Sequence, residues 1–231
     1  MMNRVLYGKK DHIGVLAVKT LNGGKDTEEV GWPEAEIRAA AEAVDKDRDI
    51  YALIVTDMVW NSQKWTEPYF SPVTVECVPA ERREMEETAA DRVRQLRVPV
   101  IAAVSGEISG EGRALVMACD IRIAGETAGL VLEDGRRVSA QEACKKRLIN
   151  SVFAFDALMD EAADMASLIC RNAPIAVQEI KRCVDIGLDT DMHTGLAFEQ
   201  QAFSLCNSTR DKEIGMRAFL NQEEEKHFVN R

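Results

Sequence analysis

Three glycines, Gly106, Gly110 and Gly112, interrupt an otherwise apolar stretch between Val98 and Ala124. Val98 to Val104 holds no polar residue, the pattern of a strand covered on both faces. After the glycines, Ala114 to Cys119 is apolar and of helical character, and Asp120-Ile121-Arg122-Ile123 alternates as a second strand. A glycine-rich turn that opens a helix leaves backbone N–H groups unpaired and aimed outward. Such groups bind a phosphate, or hold an oxyanion that develops during a reaction. The plainer alternative is a tight turn between packed elements.

Two familiar chemistries do not fit the spacing. The order G-x-x-x-G-x-G differs from the dinucleotide order G-x-G-x-x-G, which argues against a nicotinamide cofactor. The segment GEISG is not G-x-S-x-G, so Ser109 is a poor hydrolase nucleophile. His12, His193 and His227 lie far apart, without ligand spacing, so neither a histidine-based metal site nor a triad is expected.

The elements around the turn read as alternating strands and helices. Val5 to Tyr7 and Ile13 to Val18 form a hairpin across GKKDH, and Leu21 to Gly31 is a polar loop. Glu34 to Val44 is an amphipathic helix, with Ile37, Ala40, Ala41 and Val44 on one face. Ala52 to Thr56 is a buried strand. Met58 to Pro79 is irregular, with Trp60, Trp65, Tyr69 and Phe70 among polar residues, and Glu81 to Leu96 is a charged helix. This alternation predicts an α/β core with a largely parallel sheet over residues 1–150.

Residues 151–231 read as a helical region. A short helix at Ser139 to Arg147 precedes it. A helix from Asp156, its N-cap, runs to Cys170. The next has Pro174 in its first turn and Gly187 after its end. Asp191 to Cys206 and Asp211 to Leu220 complete the set, and EEEK near the end reads as a solvated tail.

The chain has 231 residues, 46% of them hydrophobic, enough to bury one sizeable core. Its net charge of −10 argues against a nucleic-acid partner, which would need a concentrated basic face. No apolar run reaches membrane-spanning length, and MMNRVLYGKK lacks the apolar core of a signal peptide, so a cytoplasmic protein is expected. The six cysteines, Cys77, Cys119, Cys144, Cys170, Cys183 and Cys206, form no C-x-x-C pair and read as reduced, mostly buried small hydrophobes.

VPVIAAVSG followed by MACDIRIAGETA, then VSAQEACKKRLIN, NAPIAVQEIKRCVDIGLD and DKEIGMRAFL, resemble segments of the enoyl-CoA hydratase/isomerase family, the crotonases. VLYGKKDHIGVLAVKTLN and DRDIYALIVTD resemble its first hairpin and next strand, so the resemblance covers most of the chain. It implies a crotonase-like spiral of ββα units with a helical C-terminal region that packs in trimers or dimers of trimers. It also implies a CoA thioester substrate, with no cofactor besides the CoA moiety. In that family two backbone N–H groups hold the thioester oxygen as it becomes an enolate, and carboxylates move protons.

Carried over residue by residue, the resemblance places the oxyanion N–H groups of the glycine turn at Glu111 and Gly112. Glu111 stands where the family has a glycine, and Ala114 where its hydratases have a glutamate. The family's second carboxylate falls on Asp134, and the glycine-rich segment that walls the acyl pocket is absent, because Gly135 leads almost directly into RRVSAQEA. Asp134 and Glu111 are therefore the candidate catalytic carboxylates, with Glu133 a further one. An ordinary turn aspartate is the plain reading of Asp134. The segment MVWNSQKWTEPYF has no match to the family's F-x-A-G-A-D, which carries the other oxyanion donor. Trp60 and Trp65, with Tyr69 and Phe70, are candidates to line a rebuilt pocket, and Lys145, Lys146 or Arg136 to meet CoA phosphates. The expected function is binding of, or action on, an acyl-CoA thioester through enolate stabilisation, with altered or weakened chemistry. An active protein would be a lyase or isomerase. A CoA thioesterase is a weaker reading, and the alternative from another class is an inactive homologue serving as a structural or regulatory subunit.

Overall fold

The computed structural model describes residues 5–19, 21, 32–57, 71–72, 88–223 and 226–231. Strands β1 (Val5–Lys10) and β2 (Ile13–Val18) pair antiparallel, with Lys10 opposite Ile13. The turn between them is shorter than expected, only Asp11 and His12, because Asp11 takes up a left-handed φ of 51°. Short polar side chains tolerate that conformation. Then follow α1 (Glu34–Lys46), β3 (Ala52–Thr56), β4 (Ser71–Pro72), α2 (Ala89–Arg94), β5 (Val100–Val104), β6 (Glu107–Ile108) and α3 (Gly110–Ala118). The remainder comprises β7 (Ile121–Gly125), β8 (Gly129–Val131), β9 (Arg137–Ser139), α4 (Ala140–Lys145), β10 (Ser151–Phe153), α5 (Leu158–Cys170), α6 (Pro174–Asp189), α7 (Met192–Asn207) and α8 (Arg210–Asn221).

Among the described residues a seven-stranded sheet runs in the order β10-β7-β5-β3-β2-β1-β4, and a small sheet runs β6-β8-β9. The central strands β2, β3, β5, β7 and β10 are parallel, as the alternation of elements predicts. Their side chains divide by parity, since successive residues of a strand face opposite ways. Leu53 and Val55 of β3, and Val100, Ala102 and Val104 of β5, join a core that includes residues of α1, α2 and α3. Ala52 and Ile54, with Ile101 and Ala103, pack instead with Leu158, Met159, Ala162 and Ala166 of α5. Burial on both faces is why ALIVT and VIAAV are unbroken apolar runs.

Several boundaries differ from expectation. Helix α3 starts at Gly110, four residues before the apolar segment, because the glycine turn itself winds into the first turn. Asp156 does not cap α5. Ala157 holds the cap position without a side-chain bond, and the Leu158 N–H reaches the Ala154 carbonyl through a preceding turn. Helix α6 does not stop before Gly187 but continues to Asp189. A Cβ at Gly195 of α7 would lie 3.6 Å from the Gly187 Cα, an ordinary van der Waals distance, so α6 and α7 lie side by side here. Asp191 caps α7 through the N–H groups of His193 and Thr194. Of the expected helix 81–96 only its end is described, and the aromatic residues between 60 and 70 lie outside the described residues.

The helical region contributes to the core from its first residues: β10 extends the main sheet beside β7, and α5 covers one of its faces. Helix α6 is tied on by Lys181, 9% exposed, whose Nζ donates to Asp120 Oδ2 at 2.8 Å and to the Val98 carbonyl at 3.2 Å. Asp211, at the start of α8, is buried and accepts the N–H groups of Val229 and Asn230 at 2.7 and 3.0 Å, so residues near the end fold back onto the helix. Ile180, Val184, Leu188, Met192, Phe203 and Phe219 stand exposed on α6, α7 and α8. The described cysteines are less buried than expected: Cys119 is buried, while Cys144, Cys170, Cys183 and Cys206 are partly exposed, and Cys77 lies outside the described residues. Among the described residues no helix is long and apolar enough to cross a membrane.

Candidate active site

Strands β3 and β5 end side by side, with Thr56 in register with Ala103, and the residues that follow them define the site. In a parallel sheet the crevice beyond the carboxyl ends of the strands is where ligands bind. Asp57, the next residue after β3, accepts the Ser105 N–H at 2.7 Å on Oδ1 and the Gly106 N–H at 2.7 Å on Oδ2. The Ser105 hydroxyl also donates to Oδ1, at 3.1 Å. From Gly106 the chain enters β6, which pairs with β8 and delivers Ser109 to the start of α3.

The first turn of α3 depends on its glycines. Gly110 has a left-handed φ of 51°, a conformation glycine adopts at little cost. Gly112 is buried where a Cβ would lie 2.0 Å from the Leu21 carbonyl oxygen. The Ser109 N–H donates to that same oxygen at 3.1 Å. Ser109 occupies the cap position in an extended conformation, and its side chain makes no cap hydrogen bond. The helical bonds begin with the Arg113 N–H on the Ser109 carbonyl, so the N–H groups of residues 110–112 precede the helix ladder. These donors, at the positive end of the helix dipole, suit an anionic oxygen.

The candidate residues fall around this turn unevenly. Glu111 is exposed in the first turn and makes no ion pair or hydrogen bond with another described residue. Ala114, one turn on, is also exposed. Asp134 lies in the turn between β8 and β9, where Gly135 has a φ of 79°. It accepts the Arg136 N–H at 2.9 Å, and its side chain is 62% exposed. Glu133 pairs with Arg113 at 3.3 Å, which brings that turn against the start of α3. Lys145 is exposed at the end of α4. Lys146 reaches Glu142 at 3.8 Å. Trp60 and Trp65 fall outside the described residues. Asp57 escaped the sequence reading. Its only signal there is a carboxylate ending an apolar strand, which an ordinary loop residue would match.

The enoyl-CoA hydratase/isomerase family model matches residues 79–134 and 128–230, more than half of the sequence. The chain belongs to the enoyl-CoA hydratase/isomerase family. The short-chain-enoyl-CoA hydratase of Clostridium acetobutylicum is 34% identical over a stretch covering 61% of this chain and 65% of that protein. The enzyme of the same name from Clostridioides difficile is 35% identical, over 52% of this chain and 96% of that one. The chain thus spans just under two thirds of the length of the Clostridium acetobutylicum relative. Among solved structures, an enoyl-CoA hydratase/isomerase from Mycobacterium paratuberculosis superposes with a TM-score of 0.76 at 20% identity, covering 100% of both chains. An enoyl-CoA hydratase from Polaromonas sp. JS666 superposes with a TM-score of 0.75 at 22% identity, covering 97% of this chain and 99% of that one. The architecture is therefore the crotonase fold, with the helical C-terminal region the resemblance implied.

Proposed function

We propose that this crotonase-family protein binds an acyl-CoA thioester at the first turn of α3 and stabilises the enolate form of its carbonyl. The observation that carries this reading is the uncapped start of α3. Backbone donors precede the helix ladder there, at a glycine turn fixed against Leu21. Removing one such donor costs about 3–4 kcal/mol of transition-state stabilisation in characterised enzymes.

The proton-moving group in this reading is Glu111. It shares the first turn with the donors, whereas Asp134 is bonded within its own turn and Glu133 is paired with Arg113. With Ala114 in place of a helix carboxylate, a one-base reaction such as isomerisation or decarboxylation suits the residues better than a hydration needing two carboxylates. The exposed apolar residues of α6 to α8 support assembly into a homotrimer or a dimer of trimers. The location proposed is the cytoplasm.

The test is calorimetric titration with CoA and with crotonyl-CoA, followed by product analysis by mass spectrometry. Micromolar binding of the thioester, with turnover that falls about 10²-fold or more in Glu111→Gln, is the expected result. No binding at millimolar ligand overturns the reading and leaves a structural subunit as the better one.

A further inference from the structure

The carboxylate of Asp57 occupies a place in the ladder that a backbone carbonyl would ordinarily fill. β3 and β5 are hydrogen-bonded neighbours up to the Thr56–Ala103 pair. One residue later the main chain of β3 no longer serves β5, and both carboxylate oxygens of Asp57 take the next two N–H groups, those of Ser105 and Gly106. A Cβ at Gly106 would sit 3.1 Å from Asp57 Oδ2, so a side chain there would push the carboxylate by a few tenths of an ångström. The Gly106 carbonyl in turn accepts the Gly129 N–H at 3.2 Å, which starts the pairing of β6 with β8. The three residues after Gly106 lead into Gly110. The start of α3 is therefore held at two points: the Leu21 carbonyl binds Ser109, and Asp57 grips the chain three to four residues earlier.

We infer that Asp57 is a positioning residue that aims the N–H donors at the start of α3 toward the thioester oxygen. The inference rests on the acyl-CoA reading of that site. A carboxylate suits the task because each oxygen accepts a charge-assisted bond, and two bonds to adjacent N–H groups fix both the position and the tilt of the peptide between them. An error of about 1 Å in such donors is enough to lose about 10²-fold in rate.

The experiment uses butyryl-CoA carrying ¹³C at the thioester carbonyl, which cannot be hydrated. Its infrared carbonyl band reports polarisation by hydrogen-bond donors, a quantity that a purely structural residue would not move at unchanged affinity. Binding is measured by calorimetry on the wild type, Asp57→Ala and Asp57→Asn, with circular dichroism checking each fold. The asparagine variant keeps the shape of the side chain but turns one acceptor into a donor facing an N–H, so it serves if the alanine variant does not fold. The expected result is a band displaced to lower frequency on wild-type protein. In the folded variants the displacement shrinks by half or more, while affinity changes less than about threefold. A variant that binds and keeps the full displacement overturns the role of Asp57 and leaves the acyl-CoA reading intact. A wild type that binds without displacing the band also overturns the inference. Failure of the wild type to bind at all removes the acyl-CoA reading and this inference together.

Discussion

Gly112 in the first turn of α3 faces the backbone of Leu21 so closely that a Cβ would lie 2.0 Å from the Leu21 carbonyl oxygen and 2.6 Å from its carbonyl carbon. Backbone cannot swing aside as a flexible side chain can, so the helix start and the Leu21 segment must part if the glycine is replaced. The same carbonyl accepts the Ser109 N–H, which couples the contact to the beginning of the helix. Gly112→Ala is expected to destabilise the fold by about 3 kcal/mol, the upper end of the usual overpacking cost. Urea unfolding measures it, and a loss below about 0.5 kcal/mol, the scale of an ordinary surface change, would contradict the contact.

Lys181 joins the helical region to the sheet. Its side chain is 7% exposed and that of Asp120 is 28% exposed, and Asp120 also accepts the Val100 N–H at 2.7 Å. Lys181→Met fills the volume but leaves a carboxylate with one partner fewer, and the expected cost is about 3 kcal/mol. The double variant with Asp120→Asn is expected to recover part of that loss, because no unpaired charge then remains. Chemical denaturation of the four proteins in the cycle gives the coupling directly.

In the proposed reading Ala114 takes the place of a helix carboxylate that would complete a pair, and it is exposed. Ala114→Glu is expected to raise hydration of crotonyl-CoA by about tenfold or more, a modest part of what a positioned acid or base supplies. Loss of the enoyl absorbance follows the reaction. An unchanged rate with unchanged thioester affinity would show that a missing carboxylate is not what restrains hydration.

Asp47 gives the fold a pH dependence. Burial opposes its ionisation, but the Lys9 ammonium at 2.7 Å, the Asp49 N–H and the nearby Arg97 outweigh burial and hold its pKa below the ordinary 3.8. A folded-state pKa lower than the unfolded one stabilises the protein above the unfolded value, and that contribution is lost as pH falls through the folded value. Lys9→Met is therefore expected to be less stable than wild type near neutral pH, with the difference closing as pH falls below the ordinary carboxylate range. Urea midpoints from about pH 6 down to about pH 2 test the convergence.

The thiols divide by burial. Burial pushes Cys119 up to about 12 and Cys170 up to about 11, so both are protonated at neutral pH and are poor nucleophiles. Alkylation of native protein at about pH 8 is expected to spare Cys119 and to label Cys144 ahead of Cys170, as peptide mass mapping would show. Rapid labelling of Cys119 would mean that the end of α3 opens readily.

Fold and site were legible to different degrees. The apolar runs ALIVT and VIAAV announced buried parallel strands because a sheet covered on both faces has no polar side. The glycine turn announced a helix start because few other residues tolerate its geometry. Helix ends were less legible: Asp156 has the right chemistry for a cap but sits one residue too early, and Gly187 looks like a terminator yet lies inside α6, which runs on to Asp189. The exposed apolar residues of α6 to α8 read as helical but not as unburied, since periodicity says which face is apolar and not what covers it.

The sequence by itself determined the parallel core, the glycine turn and the family segments. These are local patterns, readable within a few turns or strands. Tertiary structure alone decided that Asp57 grips Ser105 and Gly106 across 48 and 49 residues, and that Leu21 seats Gly112. It alone buried Asp211 against Val229 and Asn230. Each of these joins a side chain or carbonyl to backbone far away in the chain. Every residue but proline offers the same backbone N–H and carbonyl, so residue type hardly marks the partner, and the folded path of the chain selects it.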